Sequence, residues 1–166
     1  MFNRLRENMN QQWKYKSKFG NLFLVASSEG LRGIYWNKQD AEMIKSLSES
    51  KILNSAVKEL DLYFLGKMKV FKTQFDLEGT SFQNKVWNEL LKIPFGETCS
   101  YQDIAFRIHH PRAVRAVGSA NGKNPICIMI PCHRVISKNG SLGGYSGGQA
   151  FKKKLLALEG ASPTYC

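Results

Sequence analysis

The first 98 residues of this 166-residue chain contain neither cysteine nor histidine. A zinc site with cysteine and histidine ligands therefore cannot exist in that part of the chain. No stretch approaches the ~20 apolar residues that a membrane-spanning helix needs. The polar start, residues 1–6, also lacks the apolar core of a secretory signal peptide. These absences predict a cytoplasmic protein with no metal and no membrane association.

Cysteine is scarce, with four residues at positions 99, 127, 132 and 166. No two of them form a CxxC pair, and a reducing compartment is what a nucleophilic thiol needs. Cys127 lies inside the apolar run 126–130, which is typical of a packing role. Cys132 differs because Pro131 ends that run at the point where the thiol follows. We therefore expect packing at Cys127 and chemistry at Cys132.

The residues that follow Cys132 are suited to activating it. His133 and Arg134 come directly after the thiol. A free thiol has a pKa of about 8.5, and only the thiolate is a nucleophile. A neighbouring base and a positive charge are what convert a cysteine into an attacking group. The triplet therefore predicts a reactive cysteine.

A glycine-rich segment at 143–148 follows, and its paired glycines would let the backbone approach a ligand closely. Asn139-Gly140 predicts a type I′ hairpin, and hence a wing. The next helical pattern ends at Glu159, before Gly160. A helix dipole disfavours a carboxylate at that end. Glu159 is therefore either a functional group or an ordinary solvated glutamate.

Two short helices across a tight turn are predicted before the cysteine. Ser100 with Asp103 forms a capping box that opens the first helix, and the second helix spans 112–121. The pair forms a helix-turn-helix. Small residues keep the second helix slim, which suits entry into a groove and equally suits tight helix packing. Its polar face carries Arg112, Arg115 and Ser119, and its small residues include Ala113 and Ala116.

The net charge of +11 is unevenly distributed. Residues 80–166 carry eleven Lys/Arg against four Asp/Glu, whereas residues 1–79 carry thirteen against nine. The excess is therefore +7 in the second part and +4 in the first. A basic surface beside a helix-turn-helix favours a nucleic-acid phosphate backbone as the partner.

The N-terminal part has a strand pattern. Short strands are predicted around Trp13 and Tyr15, over 22–26 and over 31–36, which together make a meander. Residues 52–65 show the apolar stripe of a helix, and 70–75 predict a further strand.

From Pro94 to Glu159 the chain resembles the O6-alkylguanine-DNA alkyltransferases, also called methylated-DNA–protein-cysteine methyltransferases. The resemblance implies an α/β (α+β) fold of two parts. Residues 1–79 would form a structural, ribonuclease-H-like α/β lobe, and residues 80–166 a mainly helical winged helix-turn-helix lobe with the reactive cysteine. The motifs that carry it are Pro94-Phe95-Gly96-Glu97, Ser100-Tyr101, Arg115-Ala116-Val117-Gly118, Asn124-Pro125, Pro131-Cys132-His133-Arg134-Val135, Gly144-Tyr145-Ser146-Gly147-Gly148, and Leu155-Leu156 with Glu159.

The resemblance also implies a reaction, DNA repair by direct reversal. The alkyl group of O6-alkylguanine, with O4-methylthymine as a second candidate substrate, would pass irreversibly to Cys132, and each molecule would act once. His133 would serve as the general base through a water, with Glu159 holding its tautomer. The other implied site residues are Tyr101 as a proton donor, Asn124 as a hinge, and Val135, Tyr145 and Ser146 in the base pocket.

The implied partner is double-stranded DNA with alkylated bases, entered from the minor groove with little sequence readout. The damaged base would flip out of the stack, and Arg115 would fill the gap. A monomer without a cofactor is expected. The implied DNA-binding residues are Tyr101, Arg112, Ala113, Arg115, Ala116, Ser119 and Arg134.

Rival interpretations remain open at this point. A non-catalytic damage-binding relative would share the helix-turn-helix, but those proteins replace the cysteine that is present here. A thiol hydrolase would need an oxyanion hole and would leave the basic charge unexplained. A regulatory winged-helix protein would leave residues 131–135 unexplained.

Overall fold

A computed structural model describes residues 10–39 and 41–161. The chain separates into two compact units, with the boundary between Glu78 and Gly79. The first unit carries a four-stranded sheet and the second is mainly helical, so the predicted α/β class is confirmed. Within the described ranges, no helix combines the length and apolar character needed to cross a membrane.

The sheet of the first unit is built on the predicted meander. Strands β1 (Gln11–Ser17), β2 (Gly20–Ala26) and β3 (Leu31–Tyr35) pair antiparallel in sequence order. A two-residue strand, β4 (Glu42–Met43), adds to β1 in parallel, which gives the order β3-β2-β1-β4.

Helix α1 (Lys51–Phe64) covers this sheet and confirms the predicted helix at 52–65. Its N-cap, Ser50, accepts a hydrogen bond from the Leu53 N–H, which satisfies one of the free donors of the first turn. The apolar face of α1 contacts β1, β2 and β3. Its fully buried members are Leu53, Ala56, Leu60 and Tyr63.

The predicted strand at 70–75 is wrong. Glu59, on α1, accepts hydrogen bonds from the backbone N–H groups of Lys72 at 3.0 Å and Thr73 at 3.1 Å. Because these donors are taken by a carboxylate, they are not free for a strand ladder. Within residues 70–75, Phe75 alone pairs as a strand residue would, through an isolated bridge to Leu31.

The second unit is built around three helices. These are α2 (Ser81–Leu90), α3 (Tyr101–Arg107) and α4 (Val114–Gly122), and each contacts the other two. Trp87 of α2 is buried and donates its indole N–H to the Ala120 carbonyl of α4 at 2.9 Å. Helix α5 (Gln149–Glu159) completes the unit.

The helix-turn-helix is formed by α3 and α4. The predicted capping box is present: the Asp103 N–H donates to Ser100 Oγ at 3.1 Å, and the Ser100 N–H donates to the Asp103 carboxylate at 2.9 Å. Helix α4 begins at Val114, two residues later than predicted, and its N-cap Ala113 has no side-chain acceptor. Between the helices, His109 takes a left-handed φ of 61°.

The Asn139-Gly140 turn differs from the type I′ prediction, which requires positive φ at both central residues. The Gly140 N–H donates to the Ser137 carbonyl at 2.9 Å. Gly140 takes φ 81°, whereas Lys138 and Asn139 do not have positive φ. The geometry is that of a three-residue loop ending in a left-handed glycine.

Candidate active site

Cys132 lies where a buried segment meets a 3₁₀ turn. Residues 126–130 are buried, and Pro131 turns the chain so that the Cys132 N–H donates to the Ile130 carbonyl at 2.8 Å. Cys132 then begins the 3₁₀ turn Cys132–Arg134, and its exposed fraction is 2%. Immediately afterwards β6 (Val135–Ile136) pairs in parallel with β5 (Cys99–Ser100), which sets the start of α3 beside the Cys132 segment.

Donors and a positive charge surround the Cys132 sulfur. Burial raises the pKa of this thiol, while a hydrogen bond from the Asn124 side chain, the charge of Lys152 and the Ile128 N–H act in the opposite direction. The thiol is therefore protonated at neutral pH. Nucleophilic chemistry at this sulfur would require deprotonation, and the surrounding donors would then stabilise the thiolate.

Asn124 and Ile128 are held in place by the turn before the cysteine. The Asn124 amide donates to the Ile130 carbonyl at 2.8 Å and accepts from the Ile126 N–H at 3.0 Å. Ile128 has a φ of 76°, a conformation that β-branched residues rarely adopt. Such strain clusters at functional sites, where it fixes the direction of a backbone group.

His133 and Glu159 form a buried pair. His133 Nε2 lies 2.8 Å from Glu159 Oε1, and both side chains are 0% exposed. Burial lowers the pKa of His133 despite the opposing effect of Glu159, so the imidazole is neutral at pH 7. An ionised carboxylate can only accept, which places the imidazole proton on Nε2. Nδ1 has no hydrogen-bond partner within residues 10–39 and 41–161, so its lone pair is free to take a proton.

Arg134 is the second partner of Glu159. Its Nε and Nη2 donate to the two carboxylate oxygens at 2.8 and 3.0 Å, and its Nη1 donates to the Ile93 carbonyl at 2.6 Å. Burial opposes ionisation of Glu159, yet the hydrogen bonds from His133 and Arg134 hold its pKa well below the usual range. The Gly96 N–H adds a donor at 3.3 Å.

The expected role of Arg134 in DNA binding is wrong. Its side chain is 6% exposed and its guanidinium is shared between Glu159 and Ile93, so it is not available to a phosphate. Arg134 also packs on Phe95, with 5.8 Å from its Cζ to the ring centroid. The guanidinium instead offsets the unfavourable position of Glu159 at the end of α5.

Lys152 was missed by the sequence reasoning. It is fully buried on α5, and its ammonium donates to backbone carbonyls rather than to a carboxylate. Burial lowers its pKa to about 8, and Cys132 opposes this shift. The available signal was its helical spacing, because Lys152, Leu155 and Glu159 fall at i, i+3 and i+7 on one face.

A cavity of about 440 Å³ is lined in part by Asn121, whose side-chain amide donates to the Cys132 carbonyl. That volume is within the range of small-ligand pockets. Tyr101 and Gly143 lie so close that a Cβ on Gly143 would be 2.8 Å from the Tyr101 hydroxyl. Burial, and then the proximity of Cys132, raise the pKa of Tyr101, which therefore keeps its proton. The lining residues are Tyr101, Gly118, Asn121, Gly122, Gly144, Tyr145 and Ser146.

The backbone carbonyls of Cys132 and Val135 each already accept a hydrogen bond. The Cys132 carbonyl accepts from Asn121 Nδ2 at 3.3 Å, and the Val135 carbonyl accepts from Lys152 Nζ at 2.5 Å. A carbonyl oxygen has two lone pairs, so each can accept a second hydrogen bond.

The polar face of α4 lies on the surface. The side chains of Arg112, Arg115, Ala116 and Ser119 are exposed, whereas Val117 and Ala120 face the interior. Ala113 is half-buried.

Comparison with known proteins identifies the family. Residues 81–161 match the model described as 6-O-methylguanine DNA methyltransferase, DNA binding domain. Residues 13–77 match the model described as 6-O-methylguanine DNA methyltransferase, ribonuclease-like domain. This chain belongs to the methylated-DNA–protein-cysteine methyltransferase family. The resemblance noted in the sequence is thereby confirmed.

Individual relatives agree. A methylated-DNA–protein-cysteine methyltransferase of Methanosarcina acetivorans is 43% identical over 150 residues, which cover 89% of this chain and 96% of the relative. One from Mycobacterium leprae is 45% identical over 145 residues, covering 86% and 88%. The crystal structure of Mycobacterium tuberculosis OGT in complex with DNA superposes with a TM-score of 0.80 at 41% identity, covering 91% and 92%. These family relationships confirm the predictions of a DNA-repair methyltransferase and of DNA as its partner.

Proposed function

We propose that Cys132 is the alkyl acceptor, and that this protein removes the alkyl group from O6-alkylguanine, with O4-methylthymine as a second substrate, in double-stranded DNA. The observation that carries the proposal is the buried series Cys132, His133 and Glu159, in which a neutral imidazole keeps a free Nδ1 lone pair. His133 directly follows Cys132 in the chain, and a nearby base of this kind is what activates a cysteine nucleophile.

The transfer is a displacement at carbon. The thiol proton of Cys132 passes through a water to His133 Nδ1, and the thiolate attacks the alkyl carbon in line. A sulfur–carbon bond forms, and the bond between that carbon and O6 breaks with its electron pair on the base. Glu159 stabilises the imidazolium that results, while Arg134 keeps Glu159 ionised and in place.

Tyr101 supports the leaving group. The departing guanine carries a negative charge that needs a proton or hydrogen bonds. Tyr101 lines the cavity and retains its proton because its pKa is raised. We assign it as the donor to N3 of the base. A neutral guanine then leaves, and the proton balance is closed when the proton that His133 took from Cys132 passes through solvent to the Tyr101 phenolate.

The base itself would be held by backbone groups. The Val135 and Cys132 carbonyls are assigned as acceptors for the exocyclic amine, and the Ser146 N–H as a donor to O6. Tyr145, which stacks on Phe151 with 6.4 Å between ring centroids, would form one wall of the pocket. Asn124 would act as the hinge that ties the turn before Cys132 to the end of α4.

Helix α4 would enter the minor groove of DNA, where it would contact the DNA backbone and read little of the base sequence. A base in the stack is out of reach of Cys132, so it must be flipped out, and Arg115 would occupy the vacated space. The contacting residues on this surface are Arg112, Ala113, Arg115, Ala116 and Ser119. We further propose a monomer that acts in the cytoplasm, where its thiol stays reduced.

The product is a thioether, which is stable, and the mechanism includes no step that would regenerate the thiol. Each molecule therefore acts once. The deciding experiment mixes the protein with duplex DNA containing radiolabelled O6-methylguanine. One label per protein molecule, located on the Cys132 peptide by mass spectrometry, is the expected result. A label on another residue would overturn the assignment of Cys132, and DNA binding without a label would favour a damage-binding or regulatory protein.

A further inference from the structure

The ammonium of Lys152 joins two segments of the chain. It donates to the Val135 carbonyl at 2.5 Å, to the Leu142 carbonyl, and to the Gly144 carbonyl at 3.4 Å. Val135 directly follows the Cys132–Arg134 turn, whereas Leu142 and Gly144 belong to the loop that leads into Tyr145. One side chain thus connects the reactive segment to the loop that lines the cavity.

Burying an ammonium is unfavourable unless it is paired or fully hydrogen-bonded. Lys152 is 0% exposed, and none of the ion pairs in the described part of the chain includes it. Its charge is instead felt by the groups that would do the chemistry, because it lowers the pKa of both Cys132 and His133. A buried positive charge without a carboxylate partner is thus available to a developing thiolate.

We propose that Lys152 is a positioning residue for alkyl transfer: its ammonium fixes the loop at 142–144 against the Cys132 segment and supplies the positive charge that the Cys132 thiolate needs in a buried site. The inference rests on the proposed function because it concerns the same thiol. Beyond that function, Lys152 would both hold the loop that forms one wall of the pocket and stabilise the attacking thiolate.

The proposal predicts a particular pH dependence. Deprotonation of Cys132 favours the reaction as the pH rises, whereas deprotonation of Lys152, whose pKa is about 8, removes the charge above that value. The transfer rate should therefore rise and then fall. The titratable and charged groups on the elements around the ammonium are Cys132, His133 and Arg134 on the turn, Cys127 before it, Lys138 and Tyr145 in the loop, Tyr101 on α3, and Lys153, Lys154 and Glu159 on α5.

The experiment compares full-length wild type with Lys152→Met in single-turnover methyl transfer from duplex DNA and from free O6-methylguanine, between pH 6 and pH 10. We expect Lys152→Met to slow both reactions by roughly 10–100-fold, the scale of losing one preorganised electrostatic contact. It should also abolish the falling limb at high pH. DNA affinity should stay within about threefold, because a buried lysine does not contact phosphate.

Lys153→Met is the matched control. Lys153 is the next residue on the same helix and is exposed, so its removal costs the same formal charge without touching the three carbonyls. Its transfer rate from free O6-methylguanine and its pH profile should equal those of wild type.

The outcomes separate the possibilities. A Lys152→Met rate within threefold of wild type, or a falling limb that persists in this variant, would overturn the inference. If Lys152→Met does not fold, the wild-type profile decides, since a rate that stays flat to pH 10 would exclude a role for the ammonium. Wild type that accepts no methyl group would refute the proposed function itself, which is a different result from active wild type that is insensitive at Lys152.

Discussion

Glu159 Oε1 lies 2.8 Å from His133 Nε2 and 3.0 Å from Arg134 Nη2, so one carboxylate oxygen contacts both the imidazole and the buried guanidinium. This sharing explains why Glu159 ends a helix, a position that the helix dipole disfavours. It also means that the protonation of His133 and the stability of the second unit depend on the same side chain.

His133→Gln should slow transfer by roughly 10²–10⁴-fold at pH 7, the usual effect of losing a general base. Raising the pH should recover part of the lost rate, because hydroxide can then deprotonate the Cys132 thiol, whose pKa is raised by burial. The measurement is the single-turnover rate as a function of pH. A rate equal to that of wild type at every pH would assign His133 a structural role only.

Glu159→Gln should destabilise the folded protein as well as slow alkyl transfer. Removing one partner of a buried ion pair costs about 3–5 kcal/mol, because Arg134 is left charged and unpaired in the interior. Urea unfolding at pH 7 measures this loss. Glu97→Gln, on an exposed carboxylate of the same unit, is a suitable control and should leave the free energy of unfolding nearly unchanged.

The effect of Glu159 on stability should depend on pH in a defined direction. Its pKa in the folded protein lies well below the unfolded value of about 4.3. Its contribution is therefore fully present above that value and is lost as the pH falls toward the folded pKa. The stability difference between wild type and Glu159→Gln should narrow below about pH 4. A constant difference from pH 7 to pH 3 would contradict this linkage.

Cys132→Ala should abolish methyl transfer while leaving DNA affinity within a few fold, because phosphate contacts dominate binding. Cys127→Ala is the matched control, since Cys127 is also buried and burial also raises the pKa of its thiol. It should retain transfer. Mass spectrometry of the treated proteins distinguishes the two, and methylation of the Cys132→Ala variant would refute the acceptor assignment.

Arg115→Ala should slow repair of duplex DNA far more than repair of free O6-methylguanine, since the free base has no stack to leave. Saturating DNA at low salt removes the effect of weaker phosphate attraction. Lys85→Ala, an exposed lysine on α2, controls for the loss of one charge. An equal proportional loss on both substrates would show that Arg115 supports the pocket and does not fill the gap.

Several features were determined by the sequence by itself, because they depend on neighbours along the chain. The capping box at Ser100 and Asp103, the meander and the long helix at 52–65 were predicted from local patterns and are present. The Cys132-His133 pair is likewise adjacent in sequence. Its motif was specific enough to predict the family.

Only the tertiary structure decided the roles of the buried charges. Arg134 was expected on DNA, yet it binds Glu159, which lies 25 residues away. Lys152 is not among the predicted site residues, although its ammonium donates to a carbonyl 17 residues away. Glu59 stopped a predicted strand by accepting from residues 13 and 14 positions further on. From sequence alone, a charged residue is expected to be exposed to solvent. Only the fold supplies the distant partners that make its burial favourable.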